Sequence, residues 1–152
     1  MFAALLAASA CGSAAAQQVS TERLTLAGTA GAWVVEVATT GGFTGRGVGN
    51  FAVRADGATT CTMPLRCAAV ASDGVGHVAA AVAGVTTTAW TQRLNDGRCS
   101  DCVTTTLTIR RRASDGAERS TTYSWTVVDT KEVPGDVQSV FDAAMSVIER
   151  RR

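Results

Sequence analysis

Residues 103–128, VTTTLTIRRRASDGAERSTTYSWTVV, contain the pattern that decides the fold. Apolar and polar side chains alternate on both sides of the segment Ser114-Asp115-Gly116, which predicts two half-buried strands, Val103–Arg110 and Ser120–Val128. An Asp-Gly pair between two alternating segments is typical of a β-hairpin turn. The sequence therefore predicts an antiparallel pair of strands here.

The apolar positions also predict how these two strands pair. Placing Ile109 opposite Tyr123 and Leu107 opposite Trp125 buries all four side chains on one face, and a shift by one residue would turn Tyr123 and Trp125 outward. The two residue numbers in each pair have an even sum, so the turn must hold an odd number of residues. We therefore predict a bulge at Gly116.

Three further strands and two helices are predicted from the same kind of pattern. The strands contain Trp33 to Val37, Phe51 to Val53 and Ala58 to Met63, and the turn Ala55-Asp56-Gly57 joins the last two. One helix is capped by Ser72-Asp73, and the other begins at Pro134-Gly135-Asp136 and carries an apolar stripe. We predict one α+β domain over residues 33–152, with an antiparallel sheet of four to five strands packed against two helices. The apolar positions of the two helices are Val75, Val78, Ala79 and Val82, and Val137, Val140, Phe141, Ala144 and Ile148.

The first sixteen residues resemble an export signal. They carry no charge, and the apolar run Phe2–Ala8 is shorter than the ~20 residues that span a bilayer. Ala14-Ala15-Ala16 offers the small side chains that signal peptidase accepts, so we predict a signal peptide at 1–16 and a tether at 17–32. The mature protein is expected to be secreted or periplasmic.

Cys11 gives an alternative to simple export. Ala8-Ser9-Ala10-Cys11 loosely matches the site at which a lipoprotein cysteine is acylated. In that case the chain would be a membrane-anchored envelope lipoprotein, a structural or interaction protein. Without the lipid, no membrane contact is expected.

Four cysteines follow the leader, and an even number in an exported chain favours disulfides. Three connectivities are possible, and we favour the two local bridges, Cys61 with Cys67 and Cys99 with Cys102. The Cys-x2-Cys spacing at 99–102 is also that of a redox motif, but strand-forming residues follow it where a helix is needed. A zinc site is disfavoured because Cys-x5-Cys is wider than usual.

The chemistry of common enzymes and nucleic-acid binders is missing from the sequence. Metalloprotease, nucleophile-elbow, phosphate-loop and dinucleotide motifs are absent, and His77 is the only histidine. We predict no catalytic residue, no metal site and no cofactor, with His77 on a helix, either at its surface or partly buried. Fourteen basic residues face thirteen acidic ones, so no overall field attracts nucleic acid, and the runs 110–112 and 150–152 are expected to be solvated ends.

A glycine-rich loop between the first two predicted strands is the most distinctive segment of the sequence. The segment Glu36-Val37-Ala38-Thr39-Thr40-Gly41-Gly42-Phe43-Thr44-Gly45 resembles the opening of the emfourin-like family, small bacterial inhibitors of thermolysin-like metalloproteases. The resemblance extends in outline over about residues 33–148, although only Gly41–Gly45 is distinctive.

The resemblance implies a non-catalytic binding protein, with a secreted metalloprotease as the partner. The partner-binding residues would be Gly41, Gly42, Phe43, Thr44 and Gly45, with Phe43 as the anchor. The alternative is a purely structural role, in which the segment is a hairpin loop and Phe43 packs into the core.

Overall fold

The structure is a computed structural model, and it describes residues 32–42, 49–62, 65, 67–92, 102–126 and 132–149. These segments form six strands and two helices. The strands are β1 (Trp33–Gly41), β2 (Phe51–Arg54), β3 (Thr59–Cys61), β4 (Trp90–Thr91), β5 (Val103–Arg112) and β6 (Glu118–Thr126). The helices are α1 (Ser72–Gly84) and α2 (Gly135–Glu149).

The strands of the described part make one sheet in the order β3-β2-β1-β5-β6-β4. All neighbours are antiparallel except β4, which pairs in parallel with β6. The α+β class is confirmed, but the expected number of four to five strands is wrong. The missed strand is β4, whose two residues are too few to show any alternation.

One face of the sheet packs against both helices. Alternate residues of β1, β5 and β6 point to that face, including Val35, Leu107 and Trp125, each at most 2% exposed. They share a core with Val78 and Val82 of α1 and with the predicted stripe of α2. Val34 and Ala52 belong to a separate small cluster, as expected for the other face of a pleated sheet.

The two hairpins have the same turn. In each, the loop has three residues and its last residue is a glycine with a φ of +80°, Gly57 in one and Gly116 in the other. The odd loop length and the bulge at Gly116 are confirmed.

The predicted register of the second hairpin is wrong by two residues. Leu107 lies opposite Tyr123, and Thr105 lies opposite Trp125. The observed pairing puts Gly116 in the third loop position, where the left-handed backbone is required, while the predicted pairing would have put Ala117 there. Turn chemistry therefore outweighed the pairing of apolar residues, and Thr105 is buried at 4% exposure as a result.

Helix α1 begins without the cap predicted for Ser72. Ala71 is the N-cap residue, and no side chain of the described residues caps the helix. Gly74 is buried near α2, where a Cβ would lie 2.7 Å from Val70 Cγ1 and 3.0 Å from Val147 Cγ1. Gly76 has open space around it. Gly74 therefore permits close packing of α1 against α2, whereas Gly76 only lowers the stability of α1.

These two glycines make a matched pair for mutation. Gly76→Ala should raise the free energy of unfolding by up to about 1 kcal/mol, because alanine is the better helix former. Gly74→Ala should lower it by about 1 kcal/mol, because overpacking outweighs the same gain. Urea unfolding followed by circular dichroism measures both changes, and a stabilised Gly74→Ala variant would contradict the packing assignment.

Asp136 ties the end of α1 to the start of α2. Its carboxylate accepts hydrogen bonds from Thr86 N at 2.9 Å, Thr87 N at 2.8 Å, Thr87 Oγ1 at 2.7 Å and Val137 N at 2.9 Å. The Thr87 hydroxyl and amide are the main reasons that the pKa of Asp136 lies well below its usual value. The carbonyl of Thr87 in turn accepts a hydrogen bond from the Tyr123 hydroxyl at 2.8 Å.

Removing the Asp136 charge should therefore weaken the fold in a pH-dependent way. We expect Asp136→Asn to lower the free energy of unfolding by about 2 kcal/mol at neutral pH. Because the folded pKa is depressed, the carboxylate stabilises the fold above about pH 4, and this contribution is lost as the pH falls further. Urea unfolding from pH 7 to 3 should show the difference from wild type shrinking with acid.

Asp142→Asn is the control on the same helix. Its carboxylate is exposed and accepts one hydrogen bond, from Gln138 Nε2 at 2.7 Å. We expect a change within about 0.5 kcal/mol. If both variants lowered the free energy of unfolding equally, the hydrogen bonds of Asp136 to Thr86 and Thr87 would contribute no extra stability.

Candidate functional site

The predicted partner-binding loop starts where β1 ends. Gly41 is the last residue of β1 and Gly42 follows it, with φ values of +89° and +72°. The other predicted contact residues, Phe43, Thr44 and Gly45, lie outside the described residues.

Gly41 and Gly42 are required for different reasons. A Cβ on Gly41 would lie 2.3 Å from the carbonyl oxygen of Cys102, so the start of β5 approaches too closely for any side chain. Gly42 donates its N–H to the same oxygen at 3.1 Å, and of the described residues a Cβ there would meet only Val103, at 3.4 Å from its Cγ2. Gly42 is therefore needed for its backbone conformation alone.

The chain returns from the loop at Gly49 and Asn50, and Thr39 holds both of them. Thr39 N donates to Asn50 Oδ1 at 2.9 Å, and Thr39 Oγ1 donates to the Gly49 carbonyl at 2.8 Å. Gly49 has a φ of +107°, and a Cβ on it would lie 2.9 Å from Leu65 Cγ. We call these contacts of Thr39, Gly49 and Asn50 the loop clamp.

Sequence reasoning missed the loop clamp. Thr39 is a buried polar residue in a strand, at 7% exposure, and nothing in a local pattern distinguishes it from Thr40. Asn50 was a weak signal, because an asparagine directly before an apolar strand often bonds nearby backbone.

A disulfide lies beside Gly49 and Asn50, where the chain returns from the loop into the sheet. Asn50 and Thr62 exchange hydrogen bonds, from Asn50 N to Thr62 Oγ1 at 2.9 Å and from Thr62 N to the Asn50 carbonyl at 2.8 Å. The neighbouring Cys61 is bonded to Cys67 with a Cα–Cα distance of 5.6 Å. The predicted Cys61–Cys67 pair is confirmed, and it excludes both crossed connectivities.

The other predicted pair is described only on one side. Cys102 is disulfide-bonded, while Cys99 lies outside the described residues. Because Cys61 and Cys67 are bonded to each other, their thiolates cannot serve a four-cysteine zinc site. In the described part of the chain, no three His, Cys, Asp or Glu side chains lie close enough to hold a metal ion.

The other polar residues singled out from the sequence lie away from this loop. His77 is exposed on α1. Asp56 and Asp115 sit in the hairpin turns and accept hydrogen bonds from the N–H two residues further on, at 3.0 and 2.9 Å. Such side-chain to main-chain bonds stabilise turns.

The arginine run of β5 is not the solvated end that we expected. Arg110 forms an ion pair with Glu36, and this hydrogen bond raises its pKa. Arg111 donates to the main-chain oxygen of Val82 in α1. Because side chains alternate along a strand, neighbouring arginines point to opposite faces of the sheet and contact different residues. The second run, 150–152, lies outside the described residues.

Comparisons with known protein families, with curated protein sequences and with solved structures find no match to this chain. Neither helix of the described part has the length and hydropathy of a membrane span. A disulfide is consistent with an extracellular or periplasmic protein.

The two glycines that open the loop can be compared directly by mutation. Gly42→Ala should lower the free energy of unfolding by about 1–2 kcal/mol, the cost of a left-handed backbone in a residue with a side chain. Gly41→Ala carries the same cost plus a collision with the Cys102 carbonyl, so we expect a total of about 3 kcal/mol or more. Equal losses in urea unfolding would contradict the close approach of β1 and β5.

Proposed function

We propose that this chain is an exported, non-catalytic binding protein that uses the segment 43–48 to recognise its partner. The loop clamp carries the proposal. It holds both ends of the segment at the end of the sheet, with left-handed glycines on either side and a disulfide next to the returning stem.

Fixed stems favour binding because they reduce the entropy that a loop loses in a complex. A phenylalanine on such a segment is the type of side chain that anchors interfaces. Phe43 is therefore the proposed anchor, with Gly41, Gly42, Thr44 and Gly45 forming the surrounding backbone.

A secreted thermolysin-like metalloprotease is the proposed partner, and inhibition is the proposed activity. This step rests on the resemblance of residues 36–45 to the emfourin-like family. The disulfide supports the compartment, because secreted proteases act where disulfides persist. A signal peptide at 1–16, cut before Gln17, would deliver the domain there.

The test adds the purified exported protein to a thermolysin-like protease and follows cleavage of a fluorogenic peptide. The intact mass of that protein also reports whether it begins at Gln17 or at an acylated Cys11. We expect dose-dependent inhibition, weakened about 30-fold in Phe43→Ala, since an anchor residue is worth about 2 kcal/mol. His77→Ala, on the exposed face of α1, should inhibit like wild type.

Two results would count against the proposal at different levels. Unchanged turnover at a large molar excess of the wild-type protein would exclude inhibition of that protease class. Inhibition with full potency in Phe43→Ala would keep the function and move the contact out of the segment 43–48.

A further inference from the structure

A cavity of about 320 Å³ opens at the far end of β1 and β5 from the loop clamp. Its apolar walls come from Trp33 at the start of β1 and from Ala79, Val82 and Ala83 of α1. The three α1 positions lie on one face of the helix, and two of them are alanines, so small side chains leave the space open. Trp33 and Val82 are only 7% and 3% exposed.

Arg111 and Arg112 supply the polar part of this wall. Arg111 lies opposite Trp33 in the pairing of β1 with β5, on the face of the sheet that packs against the helices. One terminal nitrogen, Nη2, donates to the Val82 carbonyl, but the buried Nε has no hydrogen-bond partner among the residues that the structure describes. A buried donor of this kind is costly unless something binds it.

Arg111 also differs from other arginines of the described part in its charge balance. Arg54, Arg110 and Arg119 form ion pairs with Asp56, Glu36 and Asp115. No carboxylate among the described residues pairs with Arg111. The Val82 carbonyl of α1 accepts one of its N–H groups, and the guanidinium charge of Arg111 has no counter-ion within the described part of the chain.

We propose that this cavity binds a small amphiphilic carboxylate, a medium-chain fatty acid, with its head group on Arg111. The carboxylate would pair with the guanidinium group of Arg111 through a charge-assisted hydrogen bond. The alkyl chain would cover the apolar wall of Trp33, Ala79 and Ala83. The volume lies at the lower end of the roughly 300–1,000 Å³ of ligand sites, which favours a medium chain over a long lipid.

The binding test titrates the whole folded protein with octanoate and with octanol, which share a chain length and differ in charge. Isothermal calorimetry and NMR shifts of α1 report the affinity and the place of binding. We expect saturable binding of octanoate at the cavity, at least tenfold tighter than that of octanol. Octyl phosphate is the third probe, and it should bind no tighter than octanoate.

Matched variants locate the head group and the tail. Arg111→Gln should weaken octanoate at least tenfold and leave octanol within twofold. Arg119→Gln is the control, because Arg119 lies opposite Arg111 on β6 and does not line the cavity. It should bind octanoate within twofold of wild type. Ala79→Leu, which fills the cavity, should weaken both ligands.

Several outcomes would overturn the proposal. These are no saturable binding of octanoate, equal affinity for octanol, or an Arg119→Gln loss as large as that of Arg111→Gln. Tighter binding of octyl phosphate would replace the carboxylate by a phosphate ligand. If Arg111→Gln does not fold, as judged by circular dichroism, the wild-type comparison of octanoate with octanol and the Ala79→Leu variant decide the question.

Discussion

The antiparallel pairing of β1 with β5 along the whole of β1 is the contact on which the other elements depend. It sets Val35 beside Ile109 and Val37 beside Leu107, so that four apolar side chains, each at most 2% exposed, line one face of the sheet. A slip of one residue would turn the apolar side chains of one of the two strands to the opposite face. Both helices pack their apolar stripes on that face and share one core with it.

The same pairing positions both proposed binding regions. At one end it brings Gly41 against the start of β5 next to Cys102, where only glycine fits. At the other end it brings Trp33 opposite Arg111, below the last turns of α1. Nine residues of extended strand separate the two ends by roughly 27 Å, so the loop and the cavity can be tested independently.

The hairpins illustrate how far local patterns carry a prediction. Alternation correctly indicated which residues of β5 and β6 face the core, and the odd turn followed from it. The register failed by two residues because apolar side chains were matched to each other, whereas the structure buries Thr105 opposite Trp125. The position of Gly116 in the turn would have corrected the register, since only the third loop position needs a left-handed residue.

By itself, the sequence determined the α+β class, the buried faces of the long strands and the stripe of α2, and it favoured the local Cys61–Cys67 bridge, because each depends on residues close together in the chain. Only the tertiary structure decided the parallel strand β4, the loop clamp at Thr39, the bonds of Asp136 to Thr86 and Thr87, and the placement of Arg111 beside an apolar cavity. These contacts join residues from about ten to fifty positions or more apart. Their geometry exists only after the sheet and helices have packed, so no local periodicity encodes it.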